Sequence, residues 1–180
     1  MVINTPIVTI LALFCYLVLP LVVVLVIKDK KTLKVAIKCL LIVYLCILII
    51  GVWARVDITR EAVKISFDYS KGWANKSINW GFYNLKLFDV FVNLILLVPL
   101  GLSYAILLET TSVKTIITKL FLLGFFAGFI IEVGQYILPV KRSVQLSDVV
   151  FNTISVVIGG IIGVFYKRLA NKRIISPKQN

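Results

Sequence analysis

Apolar residues fall into five long runs along this chain, each nearly free of charge. A run of about 20 apolar residues is what an α-helix needs to cross a hydrocarbon core of about 30 Å. A soluble domain would instead alternate polar and apolar positions, so that each helix kept one face in water. The pattern therefore predicts an all-α integral membrane protein, a bundle of about five transmembrane helices. The predicted spans are residues 6–27, 35–54, 89–108, 120–138 and 148–166.

Composition supports this class and narrows the chemistry. Of the 180 residues, 60% are hydrophobic, and the mean hydropathy is +1.01, whereas a soluble domain is about 45–50% apolar. The chain has no histidine, and its three cysteines, Cys15, Cys39 and Cys46, lie inside apolar runs. We therefore expect no metal, no other cofactor and no disulfide framework. A single membrane domain is predicted for residues 1–180.

The net charge of +12 falls in short basic blocks beside the apolar runs. Nucleic-acid binding needs such charge on one water-exposed face, so this distribution argues against nucleic acid and for anchoring to anionic lipid headgroups. With the N-terminus outside, 12 of the 20 basic residues fall on the inner side, several of them in the short loop at residues 28–34. The positive-inside rule therefore predicts an outer N-terminus and a cytoplasmic basic tail at residues 167–180.

This orientation makes residues 55–88 a polar and aromatic extracytoplasmic segment between the second and third helices. Partial alternation over residues 56–69 fits a β-hairpin, whereas Ile58, Ala62 and Ile65 would also share one face of an interfacial helix. The sequence leaves both alternatives open.

Several polar residues stand inside the last three predicted spans, where a charge costs about 2.5–3.5 kcal/mol to insert. Glu132 and Gln135 share one helix face, and so do Asp148 and Asn152. At a rise of about 1.5 Å per residue, these groups all lie in the outer part of their spans. Arg142, in the short outer loop between the last two spans, is the expected counter-charge. The sequence predicts one functional cluster near the outer leaflet, formed by Asn93, Glu132, Gln135, Arg142, Asp148 and Asn152.

Helix packing is the competing interpretation for part of this pattern. Interhelical Asn, Gln and Ser contacts contribute about 0.6–2 kcal/mol each, and pairs of small residues four apart allow close helix contacts. Gly124 with Gly128 and Gly159 with Gly163 have that spacing. We interpret these glycines and Ser155 as packing residues, which can join helices of one chain or copies of the chain in an oligomer.

The polar motifs of residues 80–166, in their order along the chain, resemble the VanZ-like family. They are Asn93-x5-Pro99-x-Gly101, Glu132-x2-Gln135 and Asp148-x3-Asn152-Thr153, with Arg142 between the last two. The chain departs from the family pattern at Ser155, where a glycine is expected, and we expect this change to alter packing more than chemistry. The resemblance implies a multi-span protein of the bacterial cytoplasmic membrane that lowers susceptibility to teicoplanin without rebuilding the peptidoglycan precursor.

Two mechanisms are open under this resemblance. In the first, the protein is not an enzyme but binds or shields a lipid-linked molecule at the outer leaflet, where teicoplanin, which carries an acyl chain, also acts. In the second, it is an intramembrane enzyme or transporter acting on the headgroup of a lipid or envelope precursor, with Glu132 or Asp148 as the proton-transferring group. The expected partners are a membrane lipid or lipid-linked envelope molecule and a teicoplanin-type antibiotic. A purely structural scaffold ranks third.

Overall fold

The computed structural model describes residues 16, 18–53, 55–58, 63–66, 78–79, 87–109, 112–137 and 144–175. Within these residues the chain is a bundle of helices. They are α1 (residues 18–26), α2 (Lys30–Trp53), α3 (Leu87–Leu96), α4 (Val98–Leu107), α5 (Val113–Ile137) and α6 (Leu146–Ile175).

Four described helical segments are long and apolar enough to cross a membrane, which confirms the predicted all-α membrane bundle. They are Lys30–Ile49, Val90–Leu107, Val113–Ile137 and Leu146–Lys172. The first predicted span, residues 6–27, is described only at residue 16 and from residue 18 onward, and residues 18–26 are helical.

The third span is two helices in line, because Pro99 interrupts it. Proline has no N–H, its ring clashes with the carbonyl four residues earlier, and it disfavours helical geometry at the residue before it. Leu97 takes up the break with φ −101° and ψ 8°, and α4 begins at Val98. The sequence indicated one continuous span at residues 89–108, so the break is a feature that we did not predict.

Glycines set the distance between α6 and its two main neighbours. A Cβ added at Gly159 would lie 2.0 Å from the backbone oxygen of Val98, and one at Gly101 would lie 1.9 Å from that of Val156. On the other side, a Cβ at Gly124 would lie 2.8 Å from the Cα of Thr153. Backbones therefore meet directly, as small residues allow in membrane helices. The glycines predicted to allow close packing thus do so between helices of one chain. Their role in joining copies of the chain into an oligomer stays a prediction.

The contacts define the direction of each helix. Val98 faces Gly159 and Leu102 faces Gly163, so α4 runs parallel to α6. Since Gly124 faces Thr153 whereas Gly128 faces Val149, α5 runs antiparallel to α6. The bundle thus has a polar end, where α6 begins, and a basic end, where α2 begins and α6 finishes.

The last helix is longer than the sequence indicated. We predicted a span ending at Tyr166 and a basic tail from residue 167, but α6 continues to Ile175. Its extension is held by packing, since Ala170 is buried in one apolar cluster with Leu33 and Ile37 of α2. The first part of the basic tail is therefore a helical continuation of the bundle.

Short strands accompany the polar end. β1 (Arg55–Ile58) and β2 (Val63–Ser66) pair antiparallel, with Ile58 opposite Val63. Of the two alternatives for residues 56–69, these strands correspond to the hairpin. β3 (Ile78–Asn79) pairs parallel with β4 (Val144–Gln145), just before α6. The segment between α2 and α3 thus returns to the start of the last helix.

A buried polar cluster at one end of the bundle

Four of the six residues predicted to form a site are buried on three different helices. They are Asn93 on α3, Glu132 and Gln135 on α5, and Asn152 on α6. Polar side chains are rarely this inaccessible unless they bind one another or a ligand. We call these four residues the polar cluster.

Helix register places the members of the cluster within about two helical turns of one another along the bundle. The N–H of Leu97 donates to Ser155 Oγ at 2.9 Å. One turn earlier on the same two parallel helices stand Asn93 and Asn152. On the third helix, Gly128 faces Asn152, with 3.1 Å between the added Cβ and the Cβ of Asn152. Because Glu132 follows Gly128 by one turn, three helices present polar groups near the polar end.

Glu132 is tied to the start of α6. Its carboxylate oxygen Oε2 accepts the backbone N–H of Gln145 at 2.9 Å, and its side chain is only 4% exposed. Gln145 is the residue directly before α6, and it pairs with Asn79 in the β3–β4 ladder. A carboxylate at this position is stabilised by the partial positive charge of a helix N-terminus. Glu132 therefore positions the first turn of α6, a role that its sequence context did not predict.

Asn152 is the most unusual member of the cluster. It is 0% exposed, and neither its amide nitrogen nor its amide oxygen has a hydrogen-bond partner in the part of the chain that the structure describes. A buried polar group without a partner costs about 1–3 kcal/mol. Ser147, one turn and a half earlier on α6, is likewise buried with an unpartnered hydroxyl. Buried groups of this kind call for hydrogen-bond partners from outside the described residues.

Of the remaining two predicted residues, the structure describes one. Asp148 lies in the first turn of α6 and is half-buried, a position that suits a carboxylate because of the helix dipole. Arg142 lies outside the described residues. The coupling of Glu132, Arg142 and Asp148 into one charge cluster therefore stays a prediction.

Tyr44 and Ser155 satisfy the broken backbone between α3 and α4. The hydroxyl of Tyr44 donates to the carbonyl of Leu96, and Ser155 Oγ accepts the N–H of Leu97. Interrupted helices occur at membrane depth only where side chains or water replace the lost backbone bonds. The interhelical bond of Ser155 agrees with our interpretation of Ser155 as a packing residue, whereas the bond of Tyr44 was not predicted. Pro99 was the signal in the sequence that could have led to this pair.

The described residues contain no group of three or more His, Cys, Asp or Glu side chains that could hold a metal ion. The cluster and its surroundings offer buried amides, hydroxyls and one carboxylate. Together these groups can donate hydrogen bonds to a polar headgroup and accept hydrogen bonds from it.

A multi-span membrane protein whose buried polar side chains converge near one end of the helix bundle is the class that fold and site define. The chain belongs to the VanZ/LLP1 family, whose sequence model matches residues 7–167. This confirms the resemblance, and it extends the match beyond residues 80–166 to the first two predicted spans. Searches of curated proteins and of solved structures return no match.

Proposed function

We propose that this protein lowers the susceptibility of a bacterial cell to teicoplanin-type antibiotics by binding or shielding a lipid-linked molecule at the outer leaflet of the cytoplasmic membrane. Membership of the VanZ/LLP1 family supports the general assignment. The observation that supports the mechanism is the buried amide of Asn152, which has no hydrogen-bond partner in the described part of the chain. A headgroup with hydrogen-bonding groups would provide them.

The contact of Glu132 favours a binding role over proton transfer. The carboxyl oxygen Oε2 of Glu132 accepts the N–H of Gln145 and so holds the start of α6. A general acid or base acts through an oxygen directed at a substrate, whereas Oε2 is directed at the backbone. Asn93 on α3 and Gln135 on α5 are buried amides that do not titrate and so are suited to recognition.

A susceptibility assay separates the two roles of Glu132. Single variants are produced in a susceptible host, their membrane levels are verified, and teicoplanin is compared with vancomycin. Under the binding mechanism, Glu132→Gln keeps an acceptor for the N–H of Gln145 and retains part of the protection, because only its charge is lost, whereas Glu132→Ala loses protection. Proton transfer would abolish protection in both variants. Ser103→Ala is the matched control, since Ser103 is buried on α4 with an unpartnered hydroxyl in the described part of the chain.

Arg142 belongs to the same experiment, although it lies outside the described residues. We expect Arg142→Ala to reduce protection about as much as Glu132→Ala, because an ionised guanidinium is the natural counter-charge for the two carboxylates. Lipid extracts of expressing and non-expressing cells provide a further check. A lipid species that appears or disappears on expression would contradict a purely binding function.

The mechanism requires the polar end of the bundle to face outward. Basic residues at the opposite end and the positive-inside rule support an outer N-terminus and a cytoplasmic C-terminus. In a cysteine-free background, Asn75→Cys should react with an impermeant thiol reagent in intact cells, and Lys178→Cys should not. The reverse labelling pattern would place the polar end in the cytoplasmic leaflet and contradict shielding at the outer surface.

A further inference from the structure

Three lysines and one carboxylate meet at the basic end of the bundle. Lys34 Nζ lies 2.6 Å from Glu109 Oε1. The pKa of Glu109 lies below its ordinary value because Lys34 donates a hydrogen bond to its carboxylate and carries a positive charge. The charges of Lys30 and Lys167 lower the pKa of Glu109 by smaller amounts. Lys167 is itself fixed in place, because its ammonium group donates to the carbonyl of Leu108. One carboxylate thus faces three cations, and two positive charges remain without a counter-charge within this group.

The position of this lysine group is that of lipid headgroups. Lys30 is the first residue of the membrane span Lys30–Ile49, and Glu109 follows the last residue of the span Val90–Leu107 by two positions. Exposed apolar side chains stand close to the group along the chain: Val26, four residues before Lys30, is 69% exposed, and Val35, next to Lys34, is 54% exposed. A ligand that combines an anionic head with an apolar chain would match both surfaces at once.

We propose that Lys30, Lys34 and Lys167 bind the phosphate of an anionic membrane lipid, and that Glu109 competes with this phosphate for Lys34. The competition follows from exposure: the Glu109 side chain is 82% accessible, so the carboxylate is free to leave. An exposed ion pair contributes little to stability because solvent screens it. A lipid phosphate can therefore displace Glu109, with the acyl chains lying along the apolar surface beside Val26 and Val35.

Lipid binding to the purified full-length protein tests this proposal. Native mass spectrometry measures the affinity for phosphatidylglycerol, with phosphatidylcholine as the neutral comparison. Loss of one direct hydrogen bond between charged groups weakens binding by about tenfold or more. We expect Lys34→Ala to weaken phosphatidylglycerol binding by about tenfold, and Glu109→Gln to strengthen it, because the competing charge is removed. Lys119→Ala is the matched control, an exposed lysine of α5 outside the lysine group, and should bind like the wild type.

Each other outcome would overturn the proposal. Equal losses in Lys34→Ala and Lys119→Ala would show diffuse attraction to the surface rather than a site. Weaker or unchanged phosphatidylglycerol binding by Glu109→Gln would show that Glu109 does not compete with the lipid phosphate for Lys34. Similar affinities for phosphatidylglycerol and phosphatidylcholine would remove the role of lipid charge. Displacement of the lipid by an equal concentration of inorganic phosphate would identify a soluble phosphate, not a lipid, as the ligand.

Discussion

The polar cluster and the lysine group lie at opposite ends of the helix bundle. Polar side chains are buried in the polar cluster, whereas they are partly or largely exposed in the lysine group. In the polar cluster, Asn93, Glu132, Gln135 and Asn152 are enclosed by α3, α5 and α6. In the lysine group, charged side chains stand in or near solvent, and the Lys34–Glu109 pair is partly to largely exposed. A buried polar group without a hydrogen-bond partner lowers the stability of the fold. An exposed ion pair contributes little to stability and can exchange one partner for another.

The difference predicts selective ligand recognition at the polar cluster and less selective binding at the lysine group. If the polar cluster binds a headgroup as proposed, its buried amides distinguish between headgroups by hydrogen bonding, because a wrong ligand leaves them unpaired. Exposed lysines distinguish mainly by charge. We therefore expect substitutions inside the bundle near the polar cluster to have large effects on folding or function, and substitutions in the lysine group to have small effects on stability.

The largest expected effect on stability comes from the glycines that let α6 approach α4. Gly159→Ala places a Cβ 2.0 Å from the backbone oxygen of Val98, which cannot move without separating the helices. We expect a loss of about 3 kcal/mol or more, at or above the upper end of ordinary overpacking. Unfolding of the purified protein in increasing denaturing detergent measures it.

The neighbouring glycine is the control for this prediction. A Cβ at Gly160 would lie 2.2 Å from Leu120 Cδ1, the far end of a flexible side chain that can adjust. Gly160→Ala should therefore cost clearly less than Gly159→Ala. Equal costs would mean that close backbone contact does not limit the packing of α4 on α6.

A smaller effect is expected where Ser155 satisfies the broken third span. Ser155→Ala leaves the buried N–H of Leu97 without its acceptor, at a cost of about 1–3 kcal/mol. Ser147→Ala on the same helix should be neutral or stabilising, since it removes a buried hydroxyl that has no partner in the described part of the chain. The same unfolding measurement ranks the two. A destabilised Ser147→Ala beside an unchanged Ser155→Ala would reverse our assignment of the two hydroxyls.

The smallest effect is the pH dependence of the Lys34–Glu109 pair. Because the folded-state pKa of Glu109 is lowered, the pair contributes stability above the ordinary pKa of a glutamate, and this contribution is lost as pH falls through the lowered pKa. Without added lipid, Glu109→Gln should have a slightly lower Tm than the wild type at neutral pH and the same Tm in strong acid. A difference that grows on acidification would have the wrong sign for this pair.

The sequence predicted the class of fold because insertion into a membrane depends on the length and hydropathy of each span, which are local properties. The same reasoning located the buried groups Asn93, Glu132, Gln135 and Asn152, since polar residues at membrane depth are costly and so stand out. Their spacing also showed which of them share a helix face.

The partners of these groups could not be predicted in this way. That Glu132 accepts the N–H of Gln145, or that Tyr44 and Ser155 bind the backbone of Leu96 and Leu97, depends on how distant helices align. The end of α6 was also missed, because its last turns are basic in sequence and are held by the packing of Ala170 on α2. Hydropathy marks the span but not a helix that continues beyond the membrane.

Asn152→Leu is the substitution that tests the functional role of the polar cluster most directly, because it moves stability and protection in opposite directions. Leucine has the branching of asparagine and needs no hydrogen-bond partner, so the free energy of unfolding should be unchanged or higher. If the amide binds a ligand, teicoplanin susceptibility should at the same time return to that of cells without the protein. A variant that is stable and fully protective, or one that loses protection only because it unfolds, would contradict a ligand-binding role for the polar cluster.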